Sequence, residues 1–154
     1  HRQHFTFELF LALPADHRLV GHDNVDVADL DGERLIALGR EDLSYPVIEA
    51  AFHRAEAKMN PVAEVQMADA ACEMVAAGVG ISVVPSLASA GVRDGRLVFK
   101  RLRQPIQMTS WLITPRGEAM SMLAASFLEE IRTRVRGVQE ERAPASLASA
   151  MVRP

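Results

Sequence analysis

Residues 61–85, PVAEVQMADAACEMVAAGVGISVVP, decide how the rest of this chain is read. Pro61 opens a run from Val62 to Val65, rich in β-branched residues, that suits a strand, and Gln66 and Met67 close it. From Ala68 onward nearly every residue is a good helix former. Ala71, Cys72, Val75 and Val79 recur at helical spacing, and Gly78 and Gly80 bracket a stop where positive φ is expected. Ile81–Val84 is short, apolar and β-branched, as a parallel strand buried on both faces should be, and Pro85 ends it. Strand, helix and strand in 25 residues make a tight βαβ unit. In open α/β sheets ligands sit beyond the carboxyl ends of the strands, where helix N-termini expose unpaired N–H groups. Gln66, Met67 and Ala68 stand at that point.

Working back from this unit, Arg34–Leu38 reads as a further strand and ends at Gly39, Arg40, Glu41 and Asp42. Ser44 can cap a helix whose first turn tolerates Pro46 and whose apolar face is Ile48, Ala51, Phe52, Ala55 and Met59; Asn60 and Pro61 terminate it. The order from Arg34 to Pro85 is therefore β-α-β-α-β, which implies right-handed crossovers and a largely parallel sheet. Further upstream, residues 5–13 (FTFELFLAL) alternate, with Phe5, Phe7, Leu9, Leu11 and Leu13 on one side. Phe10 and Ala12 make the far end apolar on both sides. A loop follows, and residues 25–30 have the look of a single helical turn.

Downstream of Pro85, a short helical piece over 86–90 leads to a turn at Asp94 and Gly95. Two strands are expected at 97–102 and 108–114, around Trp111. A long amphipathic helix should then run from about Glu118 to Val135, with Met122, Leu123, Ser126, Phe127, Glu130 and Ile131 along one side and Gly137 as its stop. Residues 138–154 carry too little periodic apolar content to pack and are expected to be disordered.

The 154 residues suffice for one ordinary domain with a sizeable core. Hydrophobic residues make up 49% and no apolar run is long enough to span a membrane. The net charge of −3 argues against nucleic-acid binding by these residues alone, because such a module usually carries a basic face. The single Cys72 excludes an intramolecular disulfide and fits a reducing compartment. The chain opens at His1, Arg2 and Gln3 without Met, as a piece of a longer protein would.

Chemistry is sparse. His1, His4, His17 and His22 lack the Cys or carboxylate set that would complete a metal site, so structural or solvent roles are expected of them. Cys72 falls on the buried side of its helix and reads as a small core residue rather than a nucleophile. The glycines at 78 and 80 follow a helix rather than a strand, so they form a C-cap and turn and not a phosphate cradle. An enzyme reading has no anchor, and no cofactor is expected. More informative are the two strand ends, Leu38-Gly39-Arg40 and Gln66-Met67-Ala68, which face one edge. Arg40 beside a free helix N-terminus offers donors for a carboxylate, Gln66 can donate or accept, and Asp69 could attract an ammonium group. Equally, Arg40 and Asp69 can be read as ordinary solvated charges.

Three pieces together resemble the LysR-type transcriptional regulators of bacteria: residues 10–19 (FLALPADHRL), Val27–Leu30 with Leu35–Leu38, and residues 75–85 (VAAGVGISVVP). Their succession, followed by the strands at 97–102 and around Trp111 and a closing helix, covers residues 9–136. The resemblance implies an effector-binding domain with a Rossmann-like lobe of the type 2 periplasmic-binding-protein fold, crossover strands, and a C-terminal helix belonging to a partial other lobe. It implies a division into a crossing strand and hinge at 1–19, a complete α/β lobe at 20–88, return strands and closing helix at 89–136, and the tail at 137–154. The family's winged helix-turn-helix and the start of the first lobe are missing, so DNA would be bound only through that missing domain. By position the family's effector contacts fall on Leu38, Gly39, Arg40, Gln66, Met67 and Ala68. Gln66 and Met67 depart from the Ser, Thr or Asn often found before this helix. The resemblance further implies a cytoplasmic regulator holding a small carboxylate or amino-acid-like effector between two lobes, and a homodimer or higher homo-oligomer that uses the outer face of the helix at 46–59. A periplasmic-type solute-binding protein of the same fold is the competing expectation.

Overall fold

The computed structural model describes residues 2–91, 95–113 and 120–141. Its strands are β1 (Arg2–Pro14), β2 (Arg34–Leu38), β3 (Asn60–Val65), β4 (Ser82–Pro85), β5 (Leu97–Lys100) and β6 (Ile106–Ile113). Its helices are α1 (Tyr45–Arg54), α2 (Ala68–Ala76), α3 (Ala88–Gly91) and α4 (Met122–Glu141), and two 3-10 turns at Arg18–Gly21 and Val27–Leu30 follow β1. Glu8–Met108 forms one compact unit; the described residues before Glu8 and after Met108 form another.

In the Glu8–Met108 unit the expected β-α-β-α-β order is present, but its parallel character is narrower than expected. β2 and β3 pair in parallel from Arg34↔Asn60 to Leu38↔Val65. β4 meets β2 in parallel only through Leu35↔Ile81, where Ile36 N–H donates to Ile81 O and Ile81 N–H donates to Arg34 O, both at 2.8 Å. On its other side β4 runs antiparallel to β1, with Phe10↔Val84 and Ala12↔Ser82, and β1 pairs antiparallel with β5 through Leu11↔Lys100 and Ala12↔Phe99. The strand read as purely parallel is thus the junction between a parallel and an antiparallel half. Its sequence does not reveal this, because a strand buried on both faces carries the same apolar residues in either setting.

Strand alternation divides the core into two layers. Leu9, Leu11 and Leu13 face a cluster with Leu19, Leu30, Leu35, Ile81, Val83 and the α1 residues Ile48, Ala51 and Phe52. Ala12, Ile36, Leu38 and Val84 face the opposite cluster under Ala71, Cys72 and Val75 of α2. A helix thus covers each face, as α/β architecture requires. A register shift between Leu35 and Ile36 leaves one extra residue on β3, and Val62 there is exposed at 42% while Ala63 and Val65 pack inward.

Several local expectations are corrected. α1 stops at Arg54 rather than Met59: Glu56 takes φ 53°, the chain turns, and Asn60 already belongs to β3. Ala55 and Met59 still pack on the core, from the turn and not the helix. Ser44 is fully buried at the cap position but its hydroxyl does not cap; it donates to Asp42 Oδ1, which also accepts the Ser44 N–H at 2.8 Å. Gly78 has the expected positive φ of 77°. Gly80 does not; it is needed because a Cβ there would lie 2.2 Å from Arg34 O.

β6 pairs with β1, and in the other unit His4 and Trp111 bring their rings to 5.2 Å between centroids. α4 is longer than expected and continues through Gly137 to Glu141, so residues 138–141 are helical. A helical glycine costs roughly 1 kcal/mol against alanine and need not end a helix. Arg132 pairs with Glu129 and Arg134 with Glu130 in the turns before it. Met122, Leu123 and Phe127 of the expected packing side are exposed, whereas Leu128 is buried. The expected turn residue Asp94, the far end of the strand at Thr114, the helix start at Glu118 and the tail from residue 142 lie outside the described residues.

Candidate functional site

The last pair of the parallel ladder is Leu38↔Val65, and Gly39 N–H extends it by donating to Val65 O at 2.9 Å. Both strands therefore end at the same level. Leu38 is buried in the cluster under α2. Gly39 turns the chain, with Asp42 N–H donating back to Gly39 O at 2.8 Å and Tyr45 N–H to Asp42 O at 3.1 Å. The Gln66 amide lies against Gly39: a Cβ built there would sit 2.7 Å from Gln66 Nε2 and 2.9 Å from Oε1. Only glycine permits this approach, which sets an adaptable donor and acceptor over the end of β2.

Arg40 is exposed and its guanidinium carbon stands 5.5 Å from the Tyr45 ring centroid. Met67, extended and 64% exposed, is the residue before α2 and offers no side-chain cap. Ala68 opens α2 and packs on the Leu38 cluster. The first N–H groups of this nine-residue helix consequently have no side-chain partner at the cap, and they carry the positive end of its dipole. Of the six residues singled out, Gly39 and Gln66 meet directly, Leu38 and Ala68 pack in one core cluster, and Arg40 and Met67 follow Gly39 and Gln66 in the chain. Asp69 is exposed in the first turn of α2.

Sequence reasoning missed three neighbours on the same sheet. Glu8 is the only charged residue in the apolar run of β1, and its carboxylate pairs with Arg101 at 2.9 Å. Burial pushes the Glu8 carboxyl above its ordinary 4.5, against the opposing pull of the Arg101 charge and hydrogen bond. Ser86, directly after β4, is fully buried, and among the described residues its hydroxyl has no hydrogen-bond partner. A charge breaking an apolar strand was the available signal for Glu8; Ser86 offered none.

The expected structural role of His17 is seen: its Nδ1 accepts the Leu19 N–H at 3.3 Å, and Glu33 lies 3.5 Å from Nε2. Cys72 is buried in the α2 cluster, with its thiol pushed up to about 11 by burial, then by Asp69 and Glu73. Among the described residues no three His, Cys, Asp or Glu side chains gather as a metal set, and no helix is long and apolar enough to cross a membrane.

A sheet covered by α1 on one face and α2 on the other, with β1 running antiparallel to β4, is a fold shared with solved regulator domains. The Synechocystis PCC6803 CcmR regulatory domain, solved in complex with 2-PG, superposes with a TM-score of 0.68 at 22% identity over 87% of this chain and 67% of that one. The family model described as LysR substrate binding domain matches residues 1–136, and the chain belongs to that family. The transcriptional activator protein LysR of Escherichia coli K12 is 32% identical over 115 residues, covering 75% of this chain and 37% of that protein. The HTH-type transcriptional regulator YybE of Bacillus subtilis is 28% identical over 125 residues, covering 80% and 42%. The chain thus spans about two fifths of the length of these relatives.

Proposed function

We propose that this chain is the effector-sensing part of a bacterial LysR-type DNA-binding transcriptional regulator. A small carboxylate or amino-acid-like ligand docks at the carboxyl edge formed by Leu38, Gly39, Arg40, Gln66, Met67 and Ala68. DNA is contacted by a separate N-terminal domain, the intact protein is a cytoplasmic homodimer or higher homo-oligomer, and the chain carries out no catalysis. The family membership favours this over a periplasmic solute receptor.

The observation that carries the reading is the Gln66 amide resting on Gly39 beside the uncapped start of α2. These groups supply donors and Arg40 adds a permanent positive charge, which favour an anionic group, while Asp69, exposed in the first turn of α2, offers a carboxylate to an ammonium group of the same ligand. A ligand that binds one arrangement of the regulator better than another shifts the population, and with it the DNA contacts. The relative CcmR, in complex with 2-PG, supports small-molecule binding on this fold.

The test is a melting-temperature screen of the intact regulator against small carboxylates and amino acids. A ligand at about 100 times its Kd adds roughly 2.7 kcal/mol, which is several degrees in Tm. Arg40→Ala and Gly39→Ala should each cut that response by about tenfold in Kd. The methyl of Gly39→Ala meets only the movable end of Gln66, so this variant keeps its fold. Full responses in both variants would overturn the site.

A further inference from the structure

The carboxyl edge continues past β2. From β3 and β2 the pairings pass to β4, β1 and β5. Ser86 N–H donates to Glu8 O at 2.9 Å, one step beyond the pair Leu9↔Pro85, so Ser86 stands opposite Glu8. The register Leu11↔Lys100 likewise brings Arg101 level with Phe10, and its guanidinium carbon is 5.7 Å from the Phe10 ring centroid. By strand alternation Glu8, Phe10 and Ala12 share a face, and Ala12 packs with Leu38 and Val84 under α2. Glu8, Ser86 and Arg101 therefore line the face that the Gly39–Gln66 edge also borders, roughly 10 Å away at ordinary strand spacing.

We propose that Glu8, Arg101 and Ser86 form a second subsite, which receives the α-ammonium and α-carboxylate, borne on one carbon, of an α-amino acid while the rest of the molecule reaches the Gly39–Gln66 edge. Glu8 and Arg101 retain only 12% and 23% side-chain exposure, so both charges are largely desolvated but reachable. Their pair is neutral overall. A lone cation is drawn to Glu8 but repelled by Arg101, and a lone anion the reverse; a zwitterion satisfies both at once. The buried Ser86 hydroxyl is the independent sign of a missing partner, since a hydroxyl withdrawn from water is ordinarily hydrogen-bonded. It can donate to the ligand carboxylate or accept from its ammonium.

This rests on the proposed ligand edge, and the test separates the two. Calorimetric titration of the intact regulator uses L-leucine, L-lysine and L-glutamate. Each is set beside its des-amino acid (4-methylpentanoate, 6-aminohexanoate, glutarate) and its decarboxylated amine (3-methylbutylamine, cadaverine, 4-aminobutyrate). The expected result is binding of at least one amino acid, with both of its counterparts at least tenfold weaker. Glu8→Gln should raise the Kd of that amino acid at least tenfold and leave the Kd of the des-amino acid equal or lower, because the carboxylate that repels a lone anion is gone. Ser86→Ala should also weaken binding, without lowering Tm, because it removes a hydroxyl that has no partner. A purely structural Ser86, or one that holds only a buried water, would leave affinity intact, and that result overturns the subsite. Des-amino acids binding as tightly as amino acids, with Arg40→Ala still disruptive, would overturn it while leaving the ligand edge standing. Failure of all nine probes would also overturn it; the wider carboxylate screen then judges the edge alone.

Discussion

Replacing Gly80 by alanine should damage the fold although its backbone angle is ordinary. Its added Cβ would lie 2.2 Å from Arg34 O and 3.0 Å from Arg34 C, both backbone atoms of β2. Carbon–oxygen contacts settle at roughly 3.3–3.6 Å, so the two strands must separate by about 1 Å. The separation falls where Ile81 N–H donates to Arg34 O at 2.8 Å, one of the bonds that join the parallel pair to the antiparallel sheet. Overpacking of this kind costs about 1–3 kcal/mol and a weakened backbone hydrogen bond about 1 more. The sum, roughly 2–4 kcal/mol, is a large part of the about 5–15 kcal/mol that holds an ordinary domain. Gly78 is the control: its φ is 77° but open space surrounds it, so Gly78→Ala carries only the left-handed strain of about 1–2 kcal/mol. With a urea slope near 2 kcal/mol/M, Gly80→Ala should lower the midpoint by roughly 1–2 M, and Gly78→Ala by less. A Gly80→Ala midpoint equal to that of the parent, or above that of Gly78→Ala, would refute the close approach of β4 to β2.

Two further outcomes follow from titratable groups. With its thiol pushed up to about 11 and its side chain buried, Cys72 should be inert to a disulfide reagent at neutral pH; its thiolate fraction at pH 7 is about 10⁻⁴. One equivalent should react only on unfolding in urea, and rapid labelling of the folded chain would contradict the α2 packing. Glu8 has a carboxyl raised above 4.5, so protonation favours the folded state. That contribution is fully present below 4.5 and is lost as pH rises through the raised value. Glu8→Gln should flatten this part of the curve of unfolding free energy against pH, and an unchanged slope would show that burial does not govern this carboxyl.

What could be read directly from the residues was whatever depends on local pattern. The βαβ unit at 61–85 emerged because β-branched runs, an alanine-rich helical stretch and a glycine stop are each legible within a few residues. The burial of Leu9–Leu13 followed likewise from apolar residues on both sides of the strand. What could not be read was what depends on a distant partner. Whether β4 meets a parallel or antiparallel neighbour is decided by β1, some 70 residues away. The choice of Ser44 to bond Asp42 instead of capping α1 depends on how the loop after Gly39 turns. On α4 the residues expected to pack lie at helical spacing, but a stripe marks only a face suited to burial: Met122, Leu123 and Phe127 are exposed and the buried residue is Leu128. At the carboxyl edge of the sheet, Gly39 and Gln66 were singled out as sharing one edge by strand order, while the amide resting on the glycine needed coordinates. Ser86 lies beyond any pattern, since a serine after a strand is ordinarily a turn residue.

The regulator reading is tested most directly by sequencing the gene upstream of the codon for His1. A winged helix-turn-helix followed by a linker helix and the opening strands of the first lobe is the expected result. A secretion signal leading straight into those strands would contradict it and make the protein a solute receptor.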